Sequence, residues 1–215
     1  MDNQADAPRL ADATGGFAAR VASAAPTPGG GSVAAYCGQL AAALGIMMCN
    51  LTIGKAKYAA SESRVTAIKQ ELERLSVEFG ALIDEDAASF ESVLAAYRHP
   101  KETDQQKDER KQLIQVALRR AADTPYHTAE QSVHALRLLA ELAPIGNTNA
   151  LSDVATAAQV ARAAARGASY NVMINLSGLA DREAADNLKA RVSELIADAD
   201  KLSEQIEALL ISQTG

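Results

Sequence analysis

Apolar residues recur at intervals of three and four along most of this chain, which is the spacing of one face of an α-helix. The longest such stretch runs from Ser61 to Tyr97. Its apolar positions are Ile68, Leu72, Leu75, Phe79, Leu82, Ile83, Phe90, Val93, Leu94 and Tyr97. No stretch shows the alternation of apolar and polar residues that predicts a β-strand. The pattern therefore predicts an all-α fold.

The same periodicity over the whole chain predicts a bundle of about seven helices with long central members. The expected spans are 9–24, 32–55, 61–97, a fourth helix through Arg120, a fifth with Pro125 in its first turn, a sixth after 144–151 and a seventh over 181–212. The seventh carries a heptad-like apolar stripe, which predicts pairing within the bundle or across a dimer. We expect a single domain over residues 1–215, with residues 1–8 disordered.

An uncharged segment extends from Ser32 to Gly54 and is long enough to raise the question of a membrane span. It contains Gln39, Asn50 and Thr52 together with many alanines, so the segment is only moderately apolar. No second segment of this kind follows. These features favour a central helix of a bundle over a membrane span.

The chain enters the uncharged segment through the sequence APTPGGGSVAA, residues 25–35. The two prolines disfavour helix just before the glycines, and the glycines let a ligand approach bare backbone at a helix start. The alternative is a flexible linker, which requires neither the prolines nor an abrupt change to a buried helix. The candidate ligand contacts are Pro28, Gly29, Gly30, Gly31 and Ser32.

One acidic residue interrupts the apolar stripe of the third predicted helix. Asp86 lies four residues after Leu82 and four before Phe90, whereas Asp84 and Glu85 lie off the centre of that face. A carboxylate on a buried stripe is costly unless it is paired or used, and burial raises its pKa. Asp86 is therefore a candidate catalytic residue, with an ion pair to a neighbouring helix as the structural alternative.

Two further groups of polar residues are candidates for ligand contact. Lys55 and Lys57 follow the uncharged segment, where they either stabilise a helix C-terminus or form a basic mouth for an anionic tail. The loop and helix after Pro144 carry more polar residues than helix capping requires. The candidates there are Asn147, Asn149, Ser152, Asp153, Asn171 and Asn175.

The remaining composition narrows the class of protein. A chain of 215 residues with 48% hydrophobic residues can bury a core, and its net charge of −6 argues against non-specific binding of nucleic acid. Cys37 and Cys49 lie in the uncharged segment and favour a reducing compartment. The first residues lack the positive region of a signal peptide, so a cytoplasmic location is expected. The set His127, Glu130 and His134 lacks the usual pair of metal-binding histidines, so we expect no metal.

Together these motifs resemble the cyclodeaminase/cyclohydrolase family of folate enzymes. That family includes the C-terminal domain of formiminotransferase-cyclodeaminase and stand-alone methenyltetrahydrofolate cyclohydrolases. The resemblance covers residues 17–207. It is carried by PTPGGGSVAA at 26–35, NLTIGKAKY at 50–58, DEDAASF at 84–90, GNTNALSDV at 146–154 and NVMIN at 171–175.

The resemblance implies an all-helical homodimer that binds folate near the helix interface, with Asp86 as the catalytic aspartate. It also implies that the glycine loop and the GNTNALSD loop contact folate. We expect no formiminotransferase domain before this one, and that favours hydrolysis of 5,10-methenyltetrahydrofolate to 10-formyltetrahydrofolate, with the folate as substrate and no resident cofactor. Two alternatives stay open: formiminotetrahydrofolate cyclodeaminase, and a non-catalytic helical dimer that binds folate or a protein partner.

Overall fold

The computed structural model describes the backbone of residues 10–214 and the side chains of residues 14–213. Over this range the chain forms six α-helices and no strand, which confirms the all-α prediction. The helices are α1 Leu10–Val21, α2 Gly30–Thr52, α3 Glu62–Arg98, α4 Asp104–Leu142, α5 Leu151–Leu176 and α6 Arg182–Thr214. Short 3₁₀ segments, Ala56–Ser61 and Thr148–Ala150, lead into α3 and α5. The expected disorder of residues 1–8 lies outside the described residues.

Four helices form a closed ring. The helix α2 packs on α3, α3 on α4, α4 on α5 and α5 back on α2, while α6 lies outside against α4 and α5. The main core fills this ring with fully buried side chains such as Met48, Phe79 and Leu136. A second core at the other end joins α3, α4, α5 and α6 through residues such as Ile114, Leu176 and Leu188.

The central position of α2 depends on its small residues. A Cβ at Gly38 would lie 2.3 Å from the ring of Phe79, and a Cβ at Gly45 would lie 2.8 Å from both Leu72 and Leu139. Only a residue without a Cβ permits this approach. The helix has the length and hydropathy of a membrane span, but half of its most apolar stretch is buried inside the bundle. The prediction of a buried central helix is thus confirmed.

The helix count differs from the prediction because the expected fourth and fifth helices are one. Pro125 lies inside α4 and not in the first turn of a new helix. Proline at an interior position costs about 3 kcal/mol in an isolated helix. Here Thr124, Pro125 and Ala129 are all buried among neighbouring helices, so tertiary packing outweighs the local preference.

Two boundaries matter for the site. The helix α2 begins at Gly30, two residues before the expected Ser32, and ends at Thr52, before Lys55. Gly54 has a positive φ of 78°, a conformation that stops a helix and that glycine adopts without strain. Lys55 and Lys57 therefore lie beyond α2 and do not form its last turn.

The N-terminal end of α2 leaves space in the bundle. The helix begins beside Asp86 of α3, whereas α3 continues to Arg98. Beyond that level the described residues supply three helices to the ring, α3, α4 and α5. Phe90 and Tyr97, expected on the buried stripe of α3, are 40% and 48% exposed in this region. The prediction that they belong to the core is wrong, because no fourth helix among the described residues covers them.

Candidate active site

A cavity of about 280 Å³ opens at the N-terminal end of α2, where the fourth helix of the ring is missing. The glycine loop forms one side, α3 and α4 form the next two, and the C-terminal part of α5 closes it. Its lining residues are Pro26, Thr27, Gly29, Gly30, Gly31, Asp86, Ser89, Phe90, Ala121, Asn171, Ile174 and Asn175. Six of the candidates from the sequence therefore meet in one place: Gly29, Gly30, Gly31, Asp86, Asn171 and Asn175.

Asp86 is held against the start of α2 by Ser32. The backbone N–H of Ser32 donates to Asp86 Oδ2 at 2.8 Å, and the Ser32 Oγ lies 3.0 Å from the same oxygen. The Ser32 Oγ also donates toward the Ile83 carbonyl at 2.9 Å. Because the N-cap residue, Gly29, has no side chain, Asp86 supplies from α3 the capping acceptor that α2 lacks.

Gly31 makes this arrangement possible. A Cβ on Gly31 would lie 2.0 Å from Asp86 Oδ1 and 2.5 Å from its carboxyl carbon. No side chain can fit at that distance, so the carboxylate reaches the helix start only across bare backbone. The need for glycine at the third glycine position of the motif is thus explained by the approach of Asp86.

The surroundings of Asp86 favour the protonated, neutral carboxyl group more than water does. Burial raises the pKa of Asp86, and the two hydrogen bonds from Ser32 oppose that rise. Among the described side chains, no lysine or arginine forms an ion pair with Asp86. The structural alternative, an ion pair between Asp86 and a neighbouring helix, is therefore absent among the described residues. A buried carboxylate without a countercation is suited to a cationic ligand.

The start of α2 offers hydrogen-bond donors to the cavity. The first N–H groups of a helix have no partner within it, and those of Gly30 and Gly31 make no hydrogen bond to a described residue. Both glycines line the cavity. They present the positive end of the helix to a ligand atom that accepts hydrogen bonds.

Two asparagines of α5 face these donors. The Nδ2 of Asn171 donates to the Gly167 carbonyl at 2.9 Å, and the Nδ2 of Asn175 donates to the carbonyls of Ala121 at 2.8 Å and Asn171 at 2.9 Å. Neither Oδ1 receives a hydrogen bond from the described residues. The side-chain oxygens therefore remain as acceptors for a ligand in the cavity.

Several residues that line the cavity are not among the site residues predicted from the sequence. Phe90 and Ile174, which is 70% exposed, form apolar walls. Ser89 lines the cavity with its hydroxyl 3.1 Å from that of Thr124. Helical spacing indicates in part that these residues lie near the site, because Phe90 follows Asp86 by one turn and Ile174 lies between the two asparagines. Nothing in the sequence shows that α2 stops short and uncovers these side chains.

Two of the candidates lie behind the cavity wall. Ser32 is fully buried and acts on Asp86, and Pro28 is buried after a cis peptide bond with Thr27. Neither lines the cavity. Ser32 holds the Asp86 carboxylate in place through its hydrogen bonds.

The remaining candidates cluster at the opposite end of α2, a separation of about 33 Å along a helix of 23 residues. Asn147 is buried there and joins the loop to α2: its N–H donates to Thr52 Oγ1 at 2.9 Å and its Nδ2 to the Leu51 carbonyl at 3.0 Å. Lys57 Nζ lies 3.5 Å from Thr148 Oγ1. We call this group the distal loop cluster; its candidate members are Lys55, Lys57, Asn147, Asn149, Ser152 and Asp153.

Within one chain, the distal loop cluster does not share the cavity of Asp86. Asn149 and Ser152 are exposed and line a separate open depression beside Leu210 and Gln213. Asp153 lies half-buried in the first turn of α5. In the isolated chain α2 separates the two loops, and the expectation that both loops contact folate stays a prediction.

Tyr58, which is not among the predicted site residues, also belongs to the distal loop cluster. Its hydroxyl accepts the N–H of Thr148 at 3.2 Å and lies 3.4 Å from Asn147 Oδ1. The hydrogen bonds with Thr148 lower the pKa of Tyr58 to about 8. This hydroxyl ties the 3₁₀ segment after α2 to the loop before α5.

His127 takes part in a link between helices. Its Nε2 lies 2.6 Å from Glu78 Oε1 on α3, and its Nδ1 lies 3.4 Å from Glu130 Oε2. Over the part of the chain that the structure describes, no group of three or more histidine, cysteine or acidic residues is arranged to hold a metal ion.

The sequence of this chain is similar to those of two known folate enzymes. The chain is 39% identical over 186 residues to a methenyltetrahydrofolate cyclohydrolase from Methylorubrum extorquens, a match that covers 86% of this chain and 89% of that protein. It is 33% identical to the formimidoyltransferase-cyclodeaminase of Rattus norvegicus, with 85% of this chain matching 34% of that longer protein.

A solved structure shows the same fold. The crystal structure of formiminotetrahydrofolate cyclodeaminase from Thermotoga maritima superposes with a TM-score of 0.83 at 28% identity, covering 93% of this chain and 96% of that chain. The sequence model of the family described as formiminotransferase-cyclodeaminase matches residues 13–194. This chain therefore belongs to the formiminotransferase-cyclodeaminase family.

Proposed function

We propose that this protein hydrolyses 5,10-methenyltetrahydrofolate to 10-formyltetrahydrofolate. The observation that carries the proposal is the position of Asp86, a partly buried carboxylate that forms no ion pair with a described residue. It lines a cavity beside helix N–H groups that make no hydrogen bond to the described residues. The substrate has a bridging carbon between two nitrogens that share a positive charge. A carboxylate in a low-dielectric cavity attracts such a cation and takes a proton from the water that attacks it. The similarity to a methenyltetrahydrofolate cyclohydrolase supports the same reaction.

The chemistry requires one base that also returns a proton. Water forms a bond to the bridging carbon through its oxygen, and Asp86 accepts one of its protons. The bond from that carbon to N5 then breaks, N5 takes the proton from Asp86, and the carbon remains on N10 as a formyl group. The second proton of the water leaves to solvent. Burial raises the pKa of Asp86 towards neutral pH. A group whose pKa lies nearer the working pH can both accept and return a proton.

The size and walls of the cavity suit the reacting half of a folate. A volume of about 280 Å³ is at the lower limit of ligand pockets, which hold roughly 300–1,000 Å³. We place the fused ring and bridging carbon inside, with the benzoyl group and glutamate tail leaving past Phe90 and Ile174. Asn171 and Asn175 then offer oxygens to ring N–H groups.

Replacement of Asp86 by asparagine tests the proposal. We expect the wild-type protein to accelerate the loss of methenyl absorbance, and Asp86→Asn to lower kcat by about 10²–10⁴-fold, the scale of a positioned acid–base group. Asp84→Asn, an exposed carboxylate two residues away on α3, is the matched control and is expected to retain activity. Unchanged turnover in Asp86→Asn contradicts the proposal, and unfolding of that variant would assign Asp86 a structural role.

A second candidate is ring closure of formiminotetrahydrofolate with release of ammonia. The observation that favours it is the fold shared with the Thermotoga maritima cyclodeaminase. Both reactions include the methenyl compound, so Asp86 suits either. Ammonia release from formiminotetrahydrofolate without acceleration of methenyl hydrolysis would assign the cyclodeaminase. Folate binding without either reaction would assign a non-catalytic binding protein.

The outer face of α2 supports a homodimer. This helix has no charged residue, yet Leu40 and Leu51 are 43% and 41% exposed, and Tyr170 is exposed on the adjacent α5. An uncharged apolar face of this length is suited to pairing with a second copy. Antiparallel pairing of two α2 helices would bring the distal loop cluster of one copy towards the cavity of the other. The proposal is tested by sedimentation of Leu40→Glu, which we expect to be monomeric and less active than the wild type.

The same proposal extends to location and partners. Two free thiols, Cys37 and Cys49, fit a cytoplasmic protein, and a net charge of −6 gives no support for binding nucleic acid. We propose that a folate is the substrate and that no resident cofactor or metal takes part, since the bridging carbon is already electrophilic.

A further inference from the structure

The proline inside α4 lies next to the candidate active site. An interior proline has no N–H, so the carbonyl four residues earlier loses its helical donor. For Pro125 that carbonyl belongs to Ala121, and Ala121 lines the cavity. The position is conspicuous because Pro125 is buried in the middle of a helix of 39 residues.

Asn175 replaces the missing donor. Its Nδ2 donates to the Ala121 carbonyl at 2.8 Å across the α4–α5 interface, and its second N–H goes to the Asn171 carbonyl at 2.9 Å. Both partners are carbonyls and can only accept. The amide group is thereby fixed in one orientation, in which Oδ1 is the one polar atom without a hydrogen bond to a described residue.

We infer that Pro125 is a positioning residue for the site, which keeps the Ala121 carbonyl available to orient Asn175 so that its Oδ1 receives an N–H of the ligand. The Oδ1 of Asn175, held in this way, selects a ligand edge that donates hydrogen bonds, such as the amide and amine N–H groups of a reduced pterin. This identification of the ligand rests on the proposed function, whereas the coupling between Pro125 and Asn175 does not.

A purely structural role predicts something different. If Asn175 served only to satisfy a carbonyl uncovered by the proline, restoring the helical N–H would leave ligand binding unchanged. In Pro125→Ala the new N–H competes for the Ala121 carbonyl within α4, and the Asn175 amide loses one of its two anchors. Because alanine favours helix far more than proline does, this variant is expected to fold.

The test uses 6-methyltetrahydropterin, which carries the ring edge but neither the reacting carbon nor the glutamate tail. Its affinity is measured by calorimetry for the wild type, Pro125→Ala, Asn175→Ala and the double variant. We expect each single variant to weaken binding by up to about tenfold, the loss of one neutral hydrogen bond. The double variant is expected to bind no more weakly than Asn175→Ala, because the two residues act through one contact.

Pro144→Ala is the matched control, since Pro144 is exposed just after α4 at the other end of the bundle, and it is expected to bind like the wild type. Wild-type affinity in Pro125→Ala, or additive losses in the double variant, would overturn the inference. Failure of the wild type to bind the pterin would overturn the assigned ligand edge. Pterin binding with the expected coupling, but without methenyl hydrolysis, would support the inference and contradict the proposed function.

Discussion

The two ends of α2 present similar polar residues and use them in opposite ways. At the N-terminal end, the N–H groups of Gly30 and Gly31 and the side-chain oxygens of the two asparagines have no partner among the described residues and surround a cavity. At the C-terminal end, Asn147 and Tyr58 satisfy each other and the neighbouring backbone. Unsatisfied groups around a volume are available to a ligand, whereas mutually satisfied groups hold loops together.

The largest effect that separates the two ends is expected from Gly31→Ala. The new Cβ would lie 2.0 Å from Asp86 Oδ1, so the carboxylate must move away from the helix start. We expect kcat to fall by at least about 10²-fold, as for loss of the acid–base group, with a lower free energy of unfolding. Gly29→Ala is the control, because its Cβ would meet only a carbonyl at 3.8 Å. Equal activity in the two variants would show that close approach of Asp86 is not required.

Asn147→Ala probes the distal end. The change removes the Nδ2 donor to the Leu51 carbonyl and the Oδ1 acceptor of the Asn149 N–H. Loss of these two partly buried hydrogen bonds is expected to lower the free energy of unfolding by about 1–3 kcal/mol, measured by urea denaturation. We expect kcat per folded molecule to stay within about twofold, because Asn147 does not reach the cavity of its own chain. A large loss of kcat with unchanged stability would place Asn147 in the active site of the dimer.

Ser32→Ala tests the role of Asp86 as the base through the pH dependence of activity. The base acts when ionised, so activity is lost as the pH falls through its pKa. The Ser32 hydroxyl opposes the rise that burial causes, and its removal raises the pKa of Asp86 further. We expect the acid limb of the kcat/KM profile to move to higher pH, while the backbone N–H of residue 32 still holds the carboxylate. A limb that stays in place or moves to lower pH would exclude Asp86 as the titrating base.

The smallest effect is expected at the exposed lysines, Lys55 and Lys57. If the partner subunit brings them near the cavity, Lys57→Ala raises KM for polyglutamylated substrate by roughly two- to fivefold, the scale of exposed charge interactions. The change should shrink with added salt and be absent for a substrate with one glutamate. An equal effect on both substrates would indicate a role in the stability of the distal loop cluster.

Much of the fold and part of the site could be predicted from the sequence. Helical periodicity reports which face of each helix is apolar, and Asp86 was identified because a charge on that face is costly. The glycine motif was identified because three glycines at a helix start have few structural uses. Phe90 could not be assigned correctly, since its spacing is that of a core residue and it is exposed only because α2 does not extend past the level of Asp86.

Local patterns along the chain thus determined the all-α class, the central uncharged helix and the unusual positions of Asp86 and the glycines, because these depend on neighbours within a few turns. The tertiary structure decided which motifs share a site. It placed the distal loop cluster and Asp86 at opposite ends of α2, a helix about 33 Å long. It also kept Pro125 inside one long helix by burying it and supplying Asn175 to the freed carbonyl. Contacts between residues distant in sequence make these choices, and periodicity contains no information about them.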